Sequence, residues 1–370
     1  MPMDYLELGP WGAAMHSLRA SRPHFAARGA RARTFGAGLE QAEQLWLASQ
    51  NVGAIASPLL LFYGLTQAGR AVCAAGIRGA AWKGAQQHGL HFELTEPTNG
   101  SPLDLTKVRV LPHGKGLIHQ VADVLGSPVL SDSASLSDLI SNLDSDLYFD
   151  DKHYSVPRPL EVHEDGMLQE PFGHPARREL FLGPLPDDLA SNREDVPAGP
   201  NNAAYMRIVP PSAADVAAWL SAYPRLRALG EPMSVQSPES SIGRIHRGDW
   251  VIRLGWDGDD RIEGVTQTQW TLQHFDVVYD DRPSHAHGVV LPSVGGNTEA
   301  QHLLVTWWLV LYCLSMLARY YPTVWTSLLD VDSSPLAVPF DHLISVARAE
   351  VPGLVFDAMH DLRAAQASGL

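Results

Sequence analysis

The run Leu303 to Ala318 (LLVTWWLVLYCLSMLA) constrains the chain most. Its sixteen residues contain no charge and only Thr306 and Ser315 as small polar interruptions, and Arg319 closes it. A bilayer-spanning helix needs about twenty such residues. The run is therefore expected to be a helix buried on all sides, around which other elements must pack. The remainder can supply them: apolar residues make up 45% of the 370 residues and charged ones 18%. That composition excludes a disordered or collagen-like chain.

A partner helix is legible at Ser57 to Gly76 (SPLLLFYGLTQAGRAVCAAG), where Ser57-Pro58 reads as an N-cap followed by proline at the first helical position. Gly64 and Gly69 would each weaken it by about 1 kcal/mol, so close helix–helix packing at both is expected. Leu39 to Asn51 has helical spacing, residues 134–143 read as a short amphipathic helix, and Ser212 caps a helix that ends before Pro224. Residues 205–210, 250–256, 265–280 and 288–292 carry branched and aromatic residues in partial alternation and read as strands, with a turn at Gly258. Asn297 or Thr298 is expected to cap the apolar helix, which stops at Tyr321-Pro322. Two further helices are expected, from Phe340 to about Ala349 and from Val351-Pro352 to the end.

The expected class is α+β: helices from both chain ends packed together, with an inserted small antiparallel β-sheet region. Three regions follow: 1–150, helical; 151–296, β-containing; and 297–370, helical and packing on the first.

Net charge is −14, which repels nucleic-acid phosphate and anionic membrane and argues against non-specific nucleic-acid binding. Two cysteines, Cys73 and Cys313, give neither a disulfide framework nor a cysteine-rich zinc site, so a reducing cytoplasm is the expected location. Five arginines between Arg19 and Arg33 read either as a solvated arm or as a local basic patch for an acidic partner. Phosphate-loop, GxGxxG, GxSxG and HExxH patterns do not occur. The sequence does not name a cofactor.

Several side chains have two readings. His88, beside Gly89, is either a structural histidine or a ligand-contacting one whose charge changes near neutral pH. Tyr63, Gln67 and Arg70 are spaced four and three apart, so they form a polar stripe on an apolar helix, which calls for buried partners or a ligand. Arg319, followed by Tyr320, Tyr321 and Trp325, either caps its helix or holds an anion beside aromatic rings. His285 and His287 share a face if extended and are a weak metal pair, lacking a defined third ligand. The acidic run Asp257, Asp259 and Asp260 reads as turn residues rather than a calcium loop.

Four segments resemble the YaaC-like family of bacterial proteins: Trp11 with the helix after it, SPLLLFYGLTQAGRA at 57–71, QHGL at 87–90, and LYCLSMLARYYPTVW at 311–325. In that family a Pro-Leu-Leu-x-Tyr-Tyr-Gly helix leads to a Lys-Ala pair and a His-Gly motif, and a Leu-Ser-Met-x-x-Arg-Tyr run precedes a tryptophan. Here Phe62-Tyr63-Gly64, Arg70-Ala71, His88-Gly89, Leu314 to Tyr320 and Trp325 stand at those places. The chain departs from the family at His91-Phe92-Glu93, where a basic run is usual, and at Tyr321, where an acid is usual. Residues of about 150 to 290 match no motif. The resemblance implies an architecture rather than a reaction.

Three functions are therefore carried forward. One is an interaction or regulatory protein acting through a homo-oligomer or protein partner. Another is a sensor for a small anionic ligand such as a nucleotide, using Tyr63, Gln67, Arg70, His88, Arg319 and Tyr320. The last is a HEPN-like ribonuclease with His88 and Arg319 as a composite catalytic pair, since Arg158 to His163, spaced as such a motif requires, lies in a Pro-flanked segment.

Overall fold

The computed structural model describes residues 10–83, 87–97, 103–143, 158–163, 177–183, 189, 193–196, 205–208, 212–227, 234–236, 252–257, 276–279 and 286–367. They fall into two units, one formed by 1–155, 294–297 and 301–370, the other by 156–293 and 298–300.

The first unit opens with α1 (Pro10–Ala20), α2 (Gly29–Gln50) and α3 (Ser57–Gly76). Helix α2 begins ten residues before the expected start at Leu39. Ala32 and Phe35 extend the buried face of Leu39, Ala42 and Trp46 back to Gly29. Ser57 is the first residue of α3 rather than its cap. Ala56 holds the N-cap position, and the Ser57 hydroxyl instead accepts hydrogen bonds from Arg348 Nε and Nη2 at 3.2 and 3.0 Å. Two α3 glycines make room for indole rings rather than for another helix backbone. A Cβ on Gly64 would lie 2.6 Å from Trp46 Cδ1, and one on Gly69 would lie 2.5 Å from Trp308 Cη2.

A three-stranded antiparallel sheet follows, which partial alternation in the sequence did not reveal. Strands β1 (Leu90–Leu94), β2 (Val108–Pro112) and β3 (Ala134–Ser135) run in that order, with Phe92 opposite Val110. Helix α4 (Leu117–Leu125) joins β2 to β3. Ser135 then starts α5 (Leu136–Ser141) through a capping box. Its hydroxyl accepts from Asp138 N at 3.1 Å and its own N–H donates to Asp138 Oδ2 at 3.3 Å, an arrangement that stabilises a helix start by about 1 kcal/mol.

The second unit is mainly β. Its antiparallel sheet has the order β10–β11–β4–β5–β9–β8, from β4 (Leu160–His163), β5 (Arg177–Gly183), β8 (Ser234–Gln236), β9 (Ile252–Asp257), β10 (Asp276–Tyr279) and β11 (Ala286–Val290). A separate hairpin pairs β6 (Arg193–Val196) with β7 (Tyr205–Ile208). Helix α6 (Ala213–Leu220) is capped by Ser212, whose hydroxyl accepts from Asp215 N at 3.2 Å, and α7 (Pro224–Arg227) follows it. The turn expected at Gly258, Asp259 and Asp260, and the strand residues before Asp276, lie outside the described residues.

The chain returns as α8 (Leu303–Tyr320), α9 (Pro322–Leu328) and α10 (Ala337–Ala367). Helix α8 is the apolar run, and its residues from Leu304 to Ser315 are all buried. It is long and apolar enough to cross a membrane by length and composition. Its cap is His302, not Asn297 or Thr298: His302 Nδ1 accepts from Leu304 N at 3.1 Å. Asn297 instead donates to Val129 O and accepts from Ser131 Oγ, both at 3.0 Å. The two expected C-terminal helices are one, α10, with Pro352 inside it. Proline in a helix costs about 3 kcal/mol. Burial of Val351, Pro352, Val355 and Met359 at that turn offsets the loss.

Both ends of the chain meet in this unit. Gln366 Nε2 donates to Ala75 O at 2.8 Å, and Gln366 Oε1 accepts from Phe25 N at 3.2 Å. The fold class is α+β, with end helices packed together as the periodicities imply.

Candidate functional site

Helices α3 and α8 bring a group of polar side chains to the surface of the first unit beside the loop that enters β1. On α3, Tyr63 and Arg70 are exposed and Gln67 is half-buried, so the polar stripe needs no buried partner. Arg70 Nη1 donates to Gln67 Oε1 at 3.3 Å. At the end of α8, Arg319 Nη1 donates to Tyr63 Oη at 3.0 Å across 256 residues of sequence, and its guanidinium lies 5.0 Å from the centroid of the Tyr320 ring. Arg319 thus bonds a side chain of another helix. Tyr320 is 56% exposed. Of the aromatics that follow it, Tyr321 packs on Phe92 at 5.8 Å, while Trp325 is buried and donates its Nε1–H to Ile55 O at 3.0 Å. Only Tyr320 stacks with the guanidinium.

His88 sits between these helices. Its ring is 5.3 Å from Phe62 and 6.2 Å from Tyr312, and those two rings are 5.7 Å apart. Tyr312 is anchored from behind by its hydroxyl, which donates to Leu90 O at 3.2 Å, and burial pushes that hydroxyl's pKa up to about 12. Among the described residues, the ring nitrogens of His88 have no hydrogen-bond partner. The expected alternative of a histidine bonded to backbone is not what the structure shows. Burial lowers the pKa of His88 below the ordinary histidine value, and the positive charges of Arg70 and Arg319 lower it further. The backbone there is set by Gly89, whose φ of +83° favours glycine. A Cβ at Gly89 would also lie 2.8 Å from both Gly116 Cα and His119 Nδ1. His113 N donates to Gly89 O, and Leu117 N to Gln87 O, each at 2.9 Å, which fixes the loop against the start of α4.

The structure therefore sets Tyr63, Gln67 and Arg70 along the middle of α3, His88 on the loop into β1, and Arg319 and Tyr320 at the end of α8, with Arg319 bonded to Tyr63. Phe62 and Tyr312 complete the wall and were not singled out from sequence. Tyr312 and Arg319 are seven apart on one helix, a spacing that puts them on the same face and was available to find it. Neither Arg70 nor Arg319 pairs with a carboxylate among the described residues.

Other candidates fare differently. Three of the N-terminal arginines are engaged within the unit rather than forming an open basic patch. Arg19 Nη1 bonds Glu40 at 2.7 Å, Arg22 Nε donates to Arg19 O at 3.1 Å, and Arg31 lies over Phe25 and Trp82 at 5.7 and 5.3 Å. His287 is in β11 opposite Val278, and His285 lies outside the described residues. Among the described residues no group of three or more His, Cys, Asp or Glu could hold a metal. His163 ends a strand, so Arg158 and His163 do not share a helix. Cys73 and Cys313 are free, buried thiols, and burial raises both, Cys73 to about 12.

No curated protein and no solved structure matches the chain. The sequence profile of the YaaC-like Protein family matches residues 17–168 and 227–359. It therefore reaches into the middle region, where motif comparison found nothing, and covers the whole α3–His88–α8 group. On that match, the chain belongs to the YaaC-like protein family.

Proposed function

We propose that this YaaC-like chain is a cytoplasmic binding or regulatory protein whose site between α3 and α8 takes a small anionic ligand such as a nucleotide. One observation carries the reading. On a chain of net charge −14, two guanidiniums without a described carboxylate partner flank an imidazole against aromatic rings. Unpaired arginines favour anions, and Arg319, next to an exposed tyrosine ring, suits an anion attached to a planar group. Native mass spectrometry of the purified full chain, followed by denaturation, tests this. An anionic small molecule released at defined stoichiometry from the wild type, and missing from Arg70→Ala and Arg319→Ala proteins that still fold, is expected. A ligand-free protein that binds no added nucleotide at millimolar concentration would overturn it, and the native mass gives the oligomeric state in the same measurement.

The HEPN-like ribonuclease reading is kept for a specific reason. Burial and the neighbouring guanidiniums disfavour the charged form of His88, which favours the neutral imidazole that a general base requires. It predicts RNA cleavage that is lost in both His88→Ala and Arg319→Ala. Equal products from wild type and variants would dismiss it.

A further inference from the structure

We propose that the site selects a terminal phosphomonoester dianion over a phosphodiester or a carboxylate, with His88 taking up a proton as the dianion binds. The inference rests on the anion-binding reading above and adds the chemical class of the group. Charge is the first ground: two permanently charged guanidiniums with no described carboxylate match two negative charges rather than one. Direction is the second. The donors come from three segments: Tyr63, Gln67 and Arg70 on α3, His88 on the loop into β1, and Arg319 on α8. Donors arriving from several sides fit a tetrahedral head with three terminal oxygens, whereas a planar carboxylate is satisfied by one arginine fork. The exposed ring of Tyr320, stacked with Arg319, offers a face for the organic part.

The proton follows from the groups around His88. Arg70 faces it from α3, and Arg319 and the phenol of Tyr312 from α8. Behind its own backbone lie the start of α4, with His119 and Lys115, and then His91, the second residue of β1. The described acid nearest in sequence, Glu93, is 3.8 Å from His91 Nε2. Burial first, and then the two guanidiniums, disfavour the charged form of His88; a bound dianion offsets the guanidinium field and sets negative charge near the ring, so proton uptake accompanies binding and adds a donor.

Phenyl phosphate, methyl phenyl phosphate and benzoate carry one ring on a dianionic monoester, a monoanionic diester and a planar carboxylate. Isothermal titration of the full chain with each at pH 7, in two buffers of different ionisation heat, gives affinity and protons exchanged. Phenyl phosphate is expected to bind at least about tenfold tighter than the other two, and Arg70→Gln or Arg319→Gln should each remove about tenfold. Wild type should take up more protons than His88→Gln, a difference that cancels the phosphate's own titration. His88→Asn repeats the comparison should the first variant melt early. Adenosine 5′-monophosphate is then the arm for the source: tighter binding than phenyl phosphate supports a nucleotide, and equal or weaker binding supports a phosphomonoester lacking a base. If the diester or benzoate binds as well as phenyl phosphate, the dianion class is overturned while the anion site stands. If none binds, both fall. Equal proton counts in wild type and the His88 variants would overturn the role of His88.

Discussion

Replacing Gly69 by alanine should destabilise the helical unit, although the same change in an exposed helix usually helps. Alanine gains up to about 1 kcal/mol over glycine in a helix interior. At Gly69 the new methyl would stand 2.5 Å from Trp308 Cη2 and 2.7 Å from Cζ3. Ordinary contact begins near 3.4 Å, so the indole has to move by about an ångström. It has little room to do so, because Trp308 is fully buried and meets Phe62 edge-on at 6.4 Å. Overpacking of this kind costs about 1–3 kcal/mol, and a rigid ring puts the site at the upper end. The net expectation is a loss of about 1–2 kcal/mol. Gly36 is the matched control on α2: its added Cβ would meet only Arg22 Nη2, at 3.7 Å, so Gly36→Ala should gain up to about 1 kcal/mol. Thermal unfolding followed by helical circular dichroism reads the two signs, at about 2–4 °C per kcal/mol for a unit of this size. Adding Trp308→Phe to Gly69→Ala should recover part of the loss, since the ring in conflict is then smaller. If Gly69→Ala raised the melting temperature as Gly36→Ala does, the reading of Trp308 as a pinned ring against α3 would be wrong.

Two further results concern the site. Because burial, Arg70 and Arg319 lower the pKa of His88, the unfolded chain binds this proton first as pH falls. The stability that rests on neutral His88 is therefore full above about pH 6.5 and is lost as pH drops from there toward the folded value. The melting temperature of wild type should fall more steeply than that of His88→Gln between pH 7.5 and pH 5, and parallel slopes would refute the sign. Gly89→Ala combines a positive-φ residue with a Cβ 2.8 Å from Gly116 Cα, so a loss of about 2 kcal/mol or more is expected. Loss of phenyl phosphate binding should accompany it, because the loop carrying His88 is displaced, and unchanged binding in the folded variant would separate the loop from the site.

Several of these features were legible in the chain and others were not, for physical reasons. Helix α8 declared itself because sixteen uncharged residues admit few fates, and α3 because Pro58 and an unbroken apolar period mark its start and length. The sheet β1–β2–β3 was hidden. Its first two strands have five residues each and its third has two, and the exposed His91 and Glu93 look like loop residues when read along the chain. Pro352 misled in the opposite direction. A proline rule weighs one lost donor and one clash, whereas the burial that offsets them comes from other elements that the sequence does not show beside it. The cap of α8 was misplaced by the same kind of omission: Asn297 has good capping chemistry but is already used by Val129 and Ser131.

The site illustrates what local spacing can and cannot carry. Tyr63, Gln67 and Arg70 share a face at a spacing fixed by helix geometry, and Arg319 closes its helix, so each half was visible alone. Their meeting depends on two glycine contacts at positions directly beside Tyr63 and Arg70. Gly64 seats Trp46 and Gly69 seats Trp308, and those seats set how α3 lies against α2 and α8. Only with α3 and α8 packed in that way does Arg319 reach Tyr63, and only then do Arg70 and Arg319 both act on His88. Core and site are therefore coupled through one helix. A change at Gly69 that shifts α3 against Trp308 should weaken anion binding as well as stability, whereas Gly36→Ala, on the open side of α2, should leave binding untouched.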